Sequence, residues 1–260
     1  MSANANSSVP GSDLSKAMDA ALKPQIPNKI GIIVCSQRSP RACPQISTFV
    51  LETLKDFQKT HPSPRPYALS LIDLNDNPLP IFNEPDVPSQ IKSASDYKFA
   101  HTRAWSELIS SYMAFVFVTP QYNWGYPASI KNAIDYLFHE WRGKPALVVS
   151  YGGHGGGKAA VQLQQVLEAV NMKVVKDFVA LQFPDRAFLY KAAHGEDLNL
   201  RVVSEEAGRE RVIETENAQA ILAGGDATME AGGNTKDPVW AQESKELCTQ
   251  FWELVTTLNA

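Results

Sequence analysis

Between Lys29 and Leu181 the apolar positions alternate between short continuous runs and stripes spaced three and four residues apart. The first run, Lys29-Ile30-Gly31-Ile32-Ile33-Val34-Cys35, is short and rich in β-branched residues, as a strand buried on both faces requires. Pro44 then suits a first helical turn, and Ile46, Phe49, Val50, Leu54 and Phe57 fall on one helical face. A second strand spans Tyr67 to Asp73. A Pro-rich loop from Leu74 to Pro88 follows it, then a helix of about Asp96 to Ser111 repeating Tyr97, Ala100, Ala104 and Leu108. Met113 to Thr119 is the clearest strand, and Pro127 introduces a helix marked by Ile130, Ala133, Ile134 and Leu137. Pro145 to Ser150 forms a fourth strand. Leu163, Val166, Leu167 and Val170 give the next helical face, and Lys173 to Leu181 completes a fifth strand.

Strands alternating with helices predict an α/β fold, because right-handed crossovers place helices on both faces of a parallel sheet. Five such units favour a doubly wound, flavodoxin-like sheet with strand order 2-1-3-4-5. Residues Met1 to Asn28, rich in Ser, Asn, Ala and Pro without periodicity, read as a flexible leader. One domain then runs from residue 29 to 260. Within it, Tyr190 to Lys236, with Ala223-Gly224-Gly225-Asp226 and Ala231-Gly232-Gly233-Asn234, reads as a long mobile insertion and not as a further strand unit. Asp237 can cap a final helix with Pro238 in its first turn and Leu247, Phe251, Leu254, Val255 and Leu258 as its stripe.

Charge narrows the partners. The 260 residues carry 24 Lys and Arg against 28 Asp and Glu, a net charge of -4, which argues against nucleic acid because phosphate backbones call for a basic surface. Cys35, Cys43 and Cys248 cannot all pair, and none has Cys or His at metal-ligand spacing, so reduced thiols and no metal are expected. The leader has neither an apolar core nor an arginine, and no stretch approaches the ~20 apolar residues of a membrane span. A cytoplasmic protein with no membrane partner is the expectation.

In an open α/β sheet ligands sit beyond the carboxyl ends of the strands, so the three loops there are the places to look. After strand one, Ser36-Gln37-Arg38-Ser39-Pro40-Arg41-Ala42 offers hydroxyls, two guanidinium groups and a helix N-terminus, which suits an anion as well as it suits a solvated basic turn. After strand three, Thr119-Pro120-Gln121-Tyr122-Asn123-Trp124-Gly125-Tyr126-Pro127 packs aromatics and amides together. It can line a planar heterocycle or plug a helix end or dimer contact. After strand four, Ser150-Tyr151-Gly152-Gly153-His154-Gly155-Gly156-Gly157-Lys158 lets backbone approach a ligand. This stretch fits G-x-x-x-x-G-K, but Ala159 stands where a nucleotide-hydrolysing loop needs Ser or Thr. His154-Gly155-Gly156-Gly157 resembles a hydrolase oxyanion loop, yet the chain has no G-x-S-x-G elbow.

Taken together, Ser36-x-Arg38, the Thr119 to Pro127 loop with Lys131-Asn132-Ala133, and Gly143-Lys144-Pro145 followed by Ser150-Tyr151-Gly152-Gly153 resemble the NAD(P)H-dependent FMN reductases and quinone reductases, particularly the yeast-type cytosolic enzymes. The resemblance covers roughly Lys29 to Pro184. It implies bound FMN, with NADPH or NADH as co-substrate and a quinone or other small acceptor, in a ping-pong, two-electron reaction carried out by a homodimer. It further implies that Ser36 and Arg38, helped by Arg41, hold the FMN phosphate. Pro120, Gln121, Tyr122, Asn123 and Trp124 would follow the ring system, and Tyr151, Gly152 and Gly153 would flank it from the other side. No protein residue is then needed as a nucleophile, and His154 is a candidate only for tuning charge or supplying a proton. One departure is Cys35, where many relatives have Gly. Two readings without turnover stand beside this one: a flavodoxin-like FMN electron carrier, and a regulator binding nucleotide at the glycine loop.

Overall fold

The computed structural model describes residues 28–203, 210–212 and 238–259. Apart from Asn28, the expected leader lies outside the described residues, as do Asp237 and most of the expected insertion. The strands are β1 (Asn28–Val34), β2 (Tyr67–Asp73), β3 (Ala114–Pro120), β4 (Pro145–Gly152), β5 (Lys173–Val174) and β6 (Val179–Gln182), with a separate pair, β7 (Arg201–Val203) and β8 (Glu210–Val212). The helices are α1 (Cys43–Thr60), α2 (Ala100–Ser110), α3 (Ala128–Asp135), α4 (Gly157–Ala169), α5 (Arg186–His194) and α6 (Ala241–Asn259).

The main sheet is parallel and runs β2-β1-β3-β4-β5, with β6 also pairing with β4, which is the flavodoxin-like order. Alternation along its central strands explains why both faces are covered. Ile30, Ile32 and Val34 of β1 and Val116 and Val118 of β3 pack with α1, α5 and α6, while Ile33, Phe115 and Phe117 pack with α2, α3 and α4. Each such side chain, fully withdrawn from water, contributes about 1.5–3 kcal/mol before chain entropy is charged against it.

Several boundaries differ from the expected ones for local reasons. The fifth strand is two pieces: three steps along β4, from Ala146 to Val149, oppose five on the partner, from Val174 to Val179. The surplus chain bulges out, and Gln164 Nε2 donates to the carbonyls of Val175 and Lys176 there, each at 3.1 Å. Helix α2 starts at Ala100 because the Glu84 carboxylate accepts from the N–H groups of Lys98 and Phe99, both at 3.0 Å. Pro238 precedes the last helix, since Trp240 takes a φ of 63° and α6 begins at Ala241. The stretch from Tyr190 is not a plain loop: the second half of α5 and the antiparallel pair β7–β8 fall in its described part.

Just before β4, at the end of the sheet opposite the strands' carboxyl ends, Lys144 donates to the carbonyl of Ile109 at 2.7 Å and lies 5.5 Å from the Phe115 ring centroid. Burial lowers its pKa to about 8, against a smaller pull upward from Glu140. An unfolded lysine titrates near about 10.4, so between pH 8 and 10 the unfolded chain binds more protons and stability rises with pH. Lys144→Met is expected to flatten that rise. Urea midpoints at pH 7.5 and 10 measure it, and an unchanged slope would mean the ammonium is effectively solvated.

Candidate functional site

At the tip of β1 the backbone turns while Ser36 stays buried. Its hydroxyl is 2.6 Å from that of Tyr122, tying the first strand tip to the third. The Arg38 N–H donates back to Ser36 Oγ at 3.4 Å, a serine turn that tightens the loop. Arg41 braces the loop from beneath: it donates to the Ser36 carbonyl and, through two nitrogens, to both oxygens of Asp73 at 2.9 and 2.7 Å. The Asp73 contact raises the already high pKa of Arg41, so this guanidinium is charged at any working pH. Arg38 donates to the carbonyls of Pro40 and Ala193 at 3.0 and 2.9 Å, two of its five N–H groups. Helix α1 begins here with no side-chain cap, which leaves first-turn N–H groups pointing toward the loop.

The β3 tip ends in a tight hairpin. Tyr122 and Gly125 exchange backbone hydrogen bonds of 2.8 and 3.0 Å, and Asn123 and Trp124 between them have φ of 47° and 71°. Both central residues at positive φ make this a type I′ turn, in which asparagine is ordinary and tryptophan strained. Gln162 Nε2 holds the Trp124 carbonyl at 3.1 Å, and Lys158 Nζ stands 5.1 Å from the indole centroid. The turn carries its tip outward, leaving Trp124 68% exposed.

The β4 tip supplies Tyr151, buried beside the first loop. Burial raises its hydroxyl and the Cys43 thiol above their usual ranges, and that thiol donates to the Val118 carbonyl at 3.4 Å. Cys35 is buried too, in the core on the opposite face of the sheet from Cys43, and the two are not joined in a disulfide. Gly152 and Gly153 follow; a Cβ on either would meet nothing within 4 Å. Gly155 donates to the Gly152 carbonyl at 3.0 Å, and Ser150 Oγ donates to the Gly155 carbonyl at 2.7 Å, which closes the loop before α4.

These three tips border one hollow that opens to solvent. Arg38, Arg41, Pro120, Gln121, Tyr122, Tyr151, Gly152 and Gly153 line it. Ser36 lies behind Tyr122, and Asn123, Trp124 and the exposed His154 are outside the lining.

Residues 28–184 match the NADPH-dependent FMN reductase family. The chain belongs to that family. It is 47% identical over 158 residues to the NAD(P)H-dependent FMN reductase LOT6 of Saccharomyces cerevisiae, a match covering 60% of this chain and 81% of that protein. An NAD(P)H-dependent FMN reductase of Schizosaccharomyces pombe is 46% identical over 165 residues, covering 62% and 76%. Among solved structures, the flavoenzyme NAD(P)H:(acceptor) oxidoreductase FerB of Paracoccus denitrificans aligns with 89% of this chain and 97% of its own. At a TM-score of 0.50 and 20% identity, that likeness speaks to the fold.

One wall of this family member's hollow escaped the sequence analysis. Phe183, Leu189, Ala192 and Ala193, the last three from α5, complete the lining together with Ala42 at the head of α1. The signals for α5 are present in the chain: Asp185 accepts from the Phe188 N–H at 2.7 Å as an N-cap, and Gly195, with φ of 70°, ends the helix. With only Phe188 and Ala192 buried, however, its apolar stripe is too narrow to register as periodicity.

Proposed function

We propose that the chain is an FMN-dependent oxidoreductase moving two electrons from NAD(P)H to quinones or other small acceptors, with FMN seated in the hollow at the strand tips. The observation that carries this is the convergence of the tips of β1, β3 and β4 on one hollow in a chain whose residues 28–184 match the FMN reductase family. The residues present fit the cofactor. A dianionic phosphate needs cationic and N–H donors, and Arg38 and the uncapped first turn of α1 supply them at one end. A flat ring system needs open space beside backbone, and Gly152 and Gly153 supply it at the other, since a Cβ there would start in the void.

FMN, when bound, supplies the redox chemistry by taking hydride from the nicotinamide and passing the electron pair to the acceptor. The protein's part is placement and electrostatics. Arg38 binds the phosphate. Arg41, committed to Asp73 and Ser36, holds the shape of the phosphate loop and adds positive field. Pro120, Gln121 and Tyr122 would hold one side of the ring system, and backbone N–H groups at Gly152 and Gly153 would favour an anionic edge. Asn123 and Trp124 act from the rim, outside the lining.

A ping-pong order, with nicotinamide and acceptor using one open site in turn, suits a single hollow at the strand tips. A homodimer belongs to the same reading, supported by the apolar side chains of Ile81, Phe82 and Val87 left exposed between β2 and α2. A cytoplasmic setting is supported by the free thiols of Cys35 and Cys43. No helix among the described residues is long and apolar enough to cross a membrane.

Purified protein is expected to hold FMN and to lose its yellow colour with NAD(P)H under anaerobic conditions, regaining it when a quinone is added. Failure to bind added FMN would overturn the proposal. FMN binding without steady-state NAD(P)H oxidation would reduce the protein to an electron carrier.

A further inference from the structure

We infer that α5 selects the electron acceptor, with Leu189 as its principal contact, favouring quinones with an apolar ring or alkyl edge over hydrophilic acceptors. This rests on the oxidoreductase reading above and concerns the same hollow.

The family match ends at residue 184, and α5 begins at Arg186, so all of this wall except Phe183 lies beyond the matched residues. Its side chains are all apolar, whereas the rest of the lining mixes charged, polar and apolar groups. Where the strand tips offer guanidinium, amide and backbone groups, this side presents Phe183, Leu189 and Ala192. Leu189 both lines the hollow and is 45% exposed, which puts it at the mouth, where an entering molecule meets it first.

The wall is also held in place, which selection by shape requires. Phe188 points away from the mouth into an aromatic cluster, its ring centroid 5.1 Å from that of Phe183 and 5.5 Å from that of Trp240. The far end of the helix is fastened by Arg38, which donates to the Ala193 carbonyl, and by Gln45, which donates to the Glu196 carbonyl at 2.9 Å and accepts from the Leu198 N–H at 3.1 Å. Leu189 is therefore carried into the lining of the hollow by a helix fastened to its surroundings.

In the balanced reaction a quinone, NAD(P)H and one proton give hydroquinone and NAD(P)+. A neutral quinone ring desolvates readily against leucine and alanine, so part of its binding comes from this wall. A hydrated anion such as ferricyanide, which accepts one electron at a time, gains nothing from apolar contact and measures reduction of the flavin without it.

The test uses FMN-loaded full-length protein and compares kcat/KM for 2-methyl-1,4-naphthoquinone with kcat/KM for ferricyanide. In Leu189→Ala the quinone-to-ferricyanide ratio is expected to fall about tenfold, the effect of losing roughly two methylenes of contact. Leu189→Met, which keeps the apolar bulk, should hold the ratio within about twofold. An unchanged ratio in Leu189→Ala, or an equal loss with both acceptors, would overturn the inference. FMN content per chain is the separate readout: wild-type protein that retains no FMN refutes the oxidoreductase reading itself. FMN-loaded wild type that turns over, beside a variant with an unaltered ratio, refutes only the role of α5.

Discussion

Gly153→Trp is expected to lower FMN affinity about 100-fold, a loss of about 3 kcal/mol, while leaving the melting temperature of the flavin-free protein within about 2 °C of wild type. The two halves of this expectation have separate causes. A Cβ at Gly153 meets no atom of the protein within 4 Å, and the residue does not rest at positive φ, so the fold has nothing to resist the new side chain. Yet Gly153 borders the hollow, and an indole placed there competes with a flat ligand for the same volume. Flavin fluorescence on titration with FMN measures the affinity, and calorimetry measures the melting temperature. Unimpaired FMN binding by Gly153→Trp would remove the β4 tip from the cofactor site.

Gly156→Ala should do the reverse and damage the fold first, by about 2–4 kcal/mol, equivalent to roughly 5–12 °C in melting temperature. Gly156 has a φ of 77°, where a side chain alone costs about 1–2 kcal/mol. The Cβ would in addition lie 2.9 Å from the Tyr151 carbonyl oxygen and 3.0 Å from its nitrogen. Both are backbone atoms in the last turn of β4 and cannot swing aside, so the loop from Tyr151 to Gly156 would have to open. FMN binding should weaken as a consequence. Thermal denaturation with and without FMN checks both effects, and a melting temperature within 2 °C of wild type would show that the loop adapts without strain.

The contrast between these neighbouring glycines shows how much a sequence can say. Their clustering after an apolar run was enough to place a ligand loop at a strand tip, because the parallel order of the sheet follows from alternating strand and helix periods. Nothing in the spelling distinguishes a glycine needed for its φ from one needed for the space above it. Arg41 is a second case. Residue type made it a phosphate ligand, but Asp73, more than thirty residues away in the chain, holds its guanidinium, and only the pairing of β1 with β2 brings them together. Trp124 is a third: its loop was legible, but its outward placement depends on a turn geometry that tryptophan rarely adopts. The wall from α5 was lost because two buried residues in nine make no visible stripe, although its caps were there to be read.

Trp240 touches more of this architecture than its place just before the final helix suggests. Its ring meets Phe49 on α1 at 5.5 Å, Phe183 at 6.5 Å and Phe188 at 5.5 Å, and its indole N–H donates to the Gln182 carbonyl at 2.7 Å. The end of the chain thus serves as a wedge behind the helix that faces incoming substrate. Trp240→Ala would loosen the entrance to the cleft while α6 and every strand tip remained in place.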